Sequence, residues 1–324
     1  MLTIGQEHRD SIEISVGERL SVVTFSPNGK YIFSGNLHGV RVWRVKDGKQ
    51  MATMETSLVW CLAVSQDGRW IAAGTSLGDV LVWDAKTYNK VFSHKEDFTT
   101  INGVDFSPDS TRLVSTSDNY TAIVWDIATR ERVQTLCHEG SVLAAKYSPE
   151  GDRIAMATSC SVRVYDSNDG RLLVDIEATV IPWYNTGLLW SNSHLLVVSE
   201  GPIRQFEAST GSPVSEWPVP YTNGDSCITL PKHRESIAYS VNHTVTFWDM
   251  ATHTQLSVIR HPRDIRSITF SPDDLSIAIG REDGELIIEN LSRITVSSMY
   301  CWVTACLSNF TAKFCWHMML GIYS

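Results

Sequence analysis

FSPNGKYIFSG, residues 25–35, places a polar four-residue turn between two apolar runs, and close variants of it return along the chain. VSQDGRWIAAG begins at Val64, FSPDSTRLVST at Phe106, YSPEGDRIAMA at Tyr147 and FSPDDLSIAIG at Phe270. In SPNG or SPEG the proline presets φ for the first corner of a type I turn. Asn, Asp or Glu takes the second corner, and glycine accepts the left-handed conformation that lets the chain reverse. Ser-Pro also pushes the residue before the proline out of helical geometry, which ends the preceding strand. The block reads as a hairpin hinge, reused because each unit needs the same hinge.

The spacing is regular. Phe25, Val64, Phe106, Tyr147, Trp190, Leu230 and Phe270 open successive turns at steps of 39 to 43 residues. A second marker, formed by Trp43, Trp83, Trp125, Tyr165, Phe206, Trp248 and Glu289, steps by 40 to 42. Within the first unit, LSVVTF, KYIFSG and VRVWRV are short, rich in β-branched and aromatic residues, and bounded by turns. No apolar stripe of helical period occurs before the tail. An all-β chain with a period near 40 predicts four strands per unit. One such sheet cannot bury both faces, whereas seven arranged radially can.

Val-Trp-Asp at 82–84 and 124–126, Val-Tyr-Asp at 164–166 and Phe-Trp-Asp at 247–249 resemble the signature of the WD40 family. The resemblance covers roughly residues 11–291 and implies a seven-bladed β-propeller. It implies that SIEISV (residues 11–16) pairs as the outer strand of the last blade beside GELIIENL (residues 284–291), closing the ring and removing an exposed edge. It also implies a structural hydrogen-bond network in the third unit from His94, Ser115, Asp118 and Trp125, with Asn119 standing in the usual aspartate slot. The fourth unit offers His138 and Tyr165 without a turn aspartate, and the fifth (residues 183–219) lacks both the proline turn and the WD pair.

Bulk composition narrows the function. The chain has 324 residues, 43% of them hydrophobic, and a formal charge of −9. An acidic chain disfavours direct nucleic-acid binding, which needs a basic surface to displace counterions, and disfavours anionic lipid. MLTIGQEHRDSIEIS is too polar for a signal peptide, so the expected compartment is the cytoplasm, with the nucleus left open. Cys61, Cys137, Cys160 and Cys227 stand apart, as reduced thiols do when they act as small hydrophobes.

Catalytic patterns are weak. GTSLG (residues 74–78) matches the nucleophile-elbow spacing, but it links two strands instead of a strand and a helix, and reads as a β-turn. The ten histidines are scattered, with His38 and His243 in turns. The innermost strands read SVVTF, WCLAV, NGVDF, LAAKY, TGLLW, SCITL and RSITF, with Asp105 as their one carboxylate. One carboxylate among alanines cannot hold a hard cation. The expectation is therefore no catalytic residue, no metal and no cofactor. The competing class is a metal-dependent propeller hydrolase or lactonase.

What remains is a rigid ring with a loop-bearing rim, suited to binding proteins or peptides and not a small-molecule substrate. The resemblance implies contacts from residues flanking the start of each inner strand. At matching positions these include Arg19, Ser21, Leu58, Trp60, Asn102, Leu143, Tyr184, Asp264 and Arg266, with Trp183 beside Tyr184. Trp60 is either exposed or folded over the rim onto Leu58. Trp183 and Tyr184 are either a second aromatic contact or packing that replaces the lost hairpin. Arg19, Trp60 and Arg266 together would make a basic-aromatic patch for an acidic peptide. A ubiquitin-ligase substrate receptor is a further reading, since Lys86 holds the slot two residues after Asp84 where such receptors carry Arg.

Composition changes after residue 291, giving a domain division into a propeller at 11–291 and an atypical apolar tail at 292–324. Three readings of the tail stand: a membrane span, a zinc site from Cys301, Cys306, Cys315 and His317, or an appended segment packed on the propeller or left disordered.

Overall fold

The computed structural model describes residues 11–291, apart from 96, 179–186, 199–201, 218, 220–225 and 234. Trp183, Tyr184 and the whole tail fall outside the described residues. The described chain forms seven four-stranded antiparallel sheets and contains no helix. In six of the sheets four consecutive strands lie side by side in chain order. The seventh breaks that order: Ser11–Ser15 pairs with Glu285–Asn290, from Ser11 opposite Glu289 to Ser15 opposite Glu285. The expected ring closure is present, and the fold is a seven-bladed propeller.

The core is divided, because each sheet presents two apolar faces and each face must be covered. Seven separate clusters of buried side chains result, one at each junction between blades. Between blades 1 and 2, Val22, Phe33, Val40, Val42 and Met54 meet Val59, Leu62, Ile71, Ala73, Leu81 and Trp83. At the closure, Ile14 and Val16 join Leu20, Val23, Phe25 and Ile32 of blade 1 and Ala278, Leu286 and Ile288 of blade 7.

The hinge has the expected geometry with a different emphasis. Gly29 N donates to Ser26 O at 2.9 Å, and Gly29 has φ 67°. Ser110 and Asp274 take the same place in blades 3 and 7 with φ 62° and 56°, so glycine is not required. The constant member is the serine. Ser26, Ser65, Ser107, Ser148 and Ser271 each accept a backbone N–H five residues on, at 2.9 to 3.0 Å. Each also donates to a side-chain oxygen in its own hinge, at Asn28, Asp67, Asp109, Asp152 and Asp273. That explains why VSQDG keeps the hinge after losing its proline.

Hinges also interlock around the ring. A Cβ placed on Gly29 would lie 3.6 Å from Pro272 Cδ, one on Gly68 3.9 Å from Pro27 Cδ, and one on Gly151 3.2 Å from Pro108 Cδ. Where glycine is replaced, the side chain reaches back to the preceding blade. Asp67 N donates to Ser110 Oγ at 3.2 Å. Lys232 N and His233 N donate to the two oxygens of buried Asp274 at 2.7 and 2.6 Å. The divergent fifth unit uses a two-residue turn instead, with Ser191 opposite His194 and Asn192 at φ 49°.

Asp274→Ala removes the acceptor for two amides while leaving them covered. We expect it to cost about 2–4 kcal/mol in urea unfolding, with Asp274→Asn recovering part of the loss; unchanged stability would show that the inter-blade bonds carry no weight.

Candidate protein-interaction face

The sequence-predicted rim residues share a local cause. The innermost strands of blades 1, 2, 3, 4 and 7 are Leu20–Phe25, Val59–Val64, Ile101–Phe106, Val142–Tyr147 and Ile265–Phe270. Each breaks register with its neighbour one residue after it begins: between Leu20 and Val22, Val59 and Cys61, Ile101 and Gly103, Val142 and Ala144, and Ile265 and Ser267. The skipped residues are Ser21, Trp60, Asn102, Leu143 and Arg266. A bulge frees a residue from the ladder's alternation, so its side chain is re-aimed. The four-residue inner strands of blades 5 and 6 pair without such a shift.

The re-aimed side chains serve different ends. Asn102 is buried and fastens two blades, its Nδ2 donating to Val142 O at 3.1 Å and to Asp118 Oδ1 at 2.7 Å. Ser21 is also buried, while Leu58, Trp60, Leu143 and Asp264 are half-buried and Arg19 is exposed. Arg266 departs from expectation. Its side chain is 11% exposed, and Nη2 donates to Glu282 Oε2 at 3.0 Å. Glu282 lies in the turn that follows the second strand of the same blade, close to the bulge, and neutralises the guanidinium. In the basic-aromatic patch expected from Arg19, Trp60 and Arg266, the Arg266 guanidinium is therefore engaged within its own blade.

Apolar side chains missed in the sequence lie at the same end of the ring. Leu20 pairs with Asn36, and Gly39 with Glu55, so the start of an inner strand, the turn between second and third strands and the end of the outer strand share one edge of a blade. Leu37, Leu77 and Tyr120 occupy that turn in blades 1, 2 and 3, and all three are exposed. Phe98, between blades 2 and 3, is 83% exposed, with Lys95 Nζ 4.5 Å from its ring centre. The signal was present as a large apolar residue inside an otherwise polar turn, in NLHG, SLGD and DNYT.

The predicted network is only partly assembled. Trp125 Nε1 donates to Ser115 Oγ at 2.8 Å, and the His94 ring lies 4.6 Å from that of Trp125. Asp118 instead holds Asn102. The same Trp–Ser bond recurs unpredicted in blade 1, Trp43 to Ser34 at 2.8 Å. Met156 stands at the matching register of blade 4, opposite Arg163 as Ser34 is opposite Arg41. With Tyr165 replacing the indole there, the hydrogen bonds expected of His138 are not made. Its ring nitrogens are buried without partners, and the ring packs edge-on against Tyr165 at 5.7 Å. Burial, reinforced by Arg163, pushes the His138 pKa down to about 4.

In the inner strands Asp105 is engaged by blade 4: Lys146 Nζ and Tyr147 N each donate to its carboxylate at 3.0 Å. Among the described residues no three His, Cys, Asp or Glu side chains gather as metal ligands. Cys61 and Cys227 are buried and donate to Ile101 O and Arg266 O of the next blade, at 3.4 and 3.0 Å. Cys137 and Cys160 are exposed, so only two of the four described thiols act as core groups.

The "WD domain, G-beta repeat" family model matches residues 48–84, 86–126 and 130–166. The chain is a WD40-repeat protein. Each matched WD40 unit begins near the outer strand of one blade and runs through the three inner strands of the next, the offset that leaves residues 11–15 to close the ring. Among curated proteins, the chain is 30% identical over 176 residues to Periodic tryptophan protein 2 of Arabidopsis thaliana, covering 51% of this chain and 19% of that one. It is 27% identical over 142 residues to the pre-mRNA-splicing factor cwf17 of Schizosaccharomyces pombe, covering 41% of each. The matches thus span less than half of either relative. The solved structure of U3-55K shares the fold at TM-score 0.75 and 17% identity, over 86% of this chain and 98% of that one.

A histidine held neutral below its ordinary pKa contributes stability that is fully present above pH 6.5 and is lost as the pH falls from 6.5 towards 4. His138→Leu should remove about 1–2 kcal/mol of the acid-induced loss measured by urea unfolding at pH 7 and pH 4.5. Equal acid sensitivity in the variant would count against the assignment.

Proposed function

We propose that this WD40 ring is a non-catalytic scaffold or receptor that binds other proteins on the end carrying the inner-strand bulges, with blades 1 to 3 as the principal contact. The observation that carries this reading is the gathering of Leu37, Leu77, Phe98 and Tyr120 in exposed turns at the edge where Leu58 and Trp60 are half-buried. Exposed aromatic and aliphatic side chains set in a rigid rim have the composition of an interaction hot spot. The commitment of Arg266 to Glu282 shifts the preferred partner from an acidic peptide to one that presents apolar side chains. Asp105, held by Lys146 and the Tyr147 amide, supports a structural and not a catalytic bore.

The functional unit in this reading is residues 11–291, with 292–324 appended to it. Likeness to a pre-mRNA-splicing factor supports membership of a multi-protein assembly, and supports the nucleus as a compartment alongside the cytoplasm. No cofactor or small-molecule substrate enters this function.

The test compares affinity capture by the full chain with that by a Trp60→Ser, Phe98→Ser variant and by Lys86→Ser, a change in the turn at the opposite end of blade 2. Partners should fall about tenfold for the double variant, with circular dichroism unchanged, and persist for Lys86→Ser. Retention by the double variant and loss with Lys86→Ser would move the contact to the other face.

A further inference from the structure

A second site lies at the junction where the ring closes, on the side of blade 1 that faces blade 7. A groove of about 600 Å³ is lined by Asn36, His38, Arg41, Gln50, Thr53, Glu55 and Thr56. Its origin is legible in the sheet register. The position held by Arg41 in blade 1 is held by Leu81, Ile123 and Ile287 in blades 2, 3 and 7, each buried. Arg163 holds it in blade 4, where the residue across the strand pair is Asp175 and accepts its Nε at 3.0 Å. Across from Arg41 stands Thr53, which cannot take the charge. Arg41 therefore reaches past its own blade, donating from Nη1 to Val16 O at 2.6 Å and from Nη2 to Glu18 Oε1 at 3.1 Å, in the connection from blade 7. Its guanidinium becomes a fixed wall, and the surface over Thr53 stays open.

Two groups in this groove are left to serve a ligand. Asn36 is 1% exposed; its Oδ1 accepts from His38 N at 2.9 Å, while its Nδ2 donates to nothing. A buried amide donor left unpaired costs about 1–3 kcal/mol, which an incoming carbonyl would recover. Glu18, which holds Arg41, does not itself line the groove; its Oε2 is buried and lies 3.8 Å from His38 Nε2. Exposed Glu55 is the one carboxylate among the lining residues and the second such group. With Arg41 matched against Glu18, the charge of Glu55 stands uncompensated among the lining side chains.

We infer that the groove is a binding site for an extended, basic peptide segment of a partner protein: an arginine or lysine side chain lies against Glu55, and the backbone carbonyl of that residue accepts from Asn36 Nδ2. The site adjoins the rim at the turn that carries Leu37, while Trp60 and Phe98 lie beyond blade 1, so one partner can span the groove and the rim. A carboxylate in a polar groove selects a cation, and a buried carboxamide donor in the same groove selects a peptide over a simple amine or metal ion.

The probe is N-acetyl-arginine N-methylamide, titrated into the full ¹⁵N-labelled chain, with N-acetyl-citrulline N-methylamide as its uncharged twin. Saturable shifts should centre on Asn36, His38 and Gln50–Thr56. Affinity should fall about fivefold or more for the citrulline probe, and likewise for the arginine probe on Glu55→Gln, an exposed position whose change leaves the fold intact. Failure to saturate, shifts centred elsewhere, or equal affinity for the two probes would each overturn the site. Trp60→Ser, Phe98→Ser should leave the titration unchanged, so failure of the groove and failure of the rim are read separately.

Discussion

Burial of both faces of every sheet is the constraint on which this molecule rests. No blade has a core of its own. Each of the seven apolar clusters is built half from one blade and half from the next, so a blade is stable only between two neighbours. This has one consequence at the ends of the chain. Without residues 11–15 the last sheet would expose an edge, and the cluster that contains Ile14 and Val16 would lose its outer part. Closure is therefore a packing requirement before it is a topological feature.

Polar contacts refine what apolar burial establishes. The hinge serines fold each hairpin locally, and the fourth hinge position passes the constraint to the neighbouring blade, as a bare Cα under proline or as Ser110 and Asp274 bonded across the gap. Cys61, Asn102, Asp105 and Cys227 do the same nearer the axis, each bonded to the next blade. Seven weak, similar seams then act as one body, because loosening any seam strains the others. Such a body suits recognition: its rim positions are held by the ring, and the side chains on them can vary without disturbing the seams.

The rim and the groove both arise where a repeat departs from its own average. A bulge at the second residue of five inner strands is the common device, yet it presents Trp60 in one blade, hides Asn102 in another and hands Arg266 to Glu282 in a third. The groove exists because blade 1 carries arginine where three other blades carry a buried aliphatic, and because the residue across the sheet is Thr53 and not an acid such as the Asp175 that meets Arg163. Function in a repeat ring is written in these differences, since the shared pattern is already spent on packing.

The periodic markers, the polar hinges and the short β-branched runs determined by themselves that the chain is all-β and has seven units, and the resemblance to WD40 repeats added that its first strand closes against its last. That information is local and repeated, and a period of about forty residues leaves few ways to cover seven two-faced sheets. Tertiary structure alone decided which atoms meet across a seam or a turn. Arg266 looks free in sequence until Glu282, sixteen residues on, folds against it; His138 looks hydrogen-bonded until Met156 stands where a serine is needed. Ion pairing and burial depend on distances between residues far apart along the chain, and no repeat spacing carries those distances.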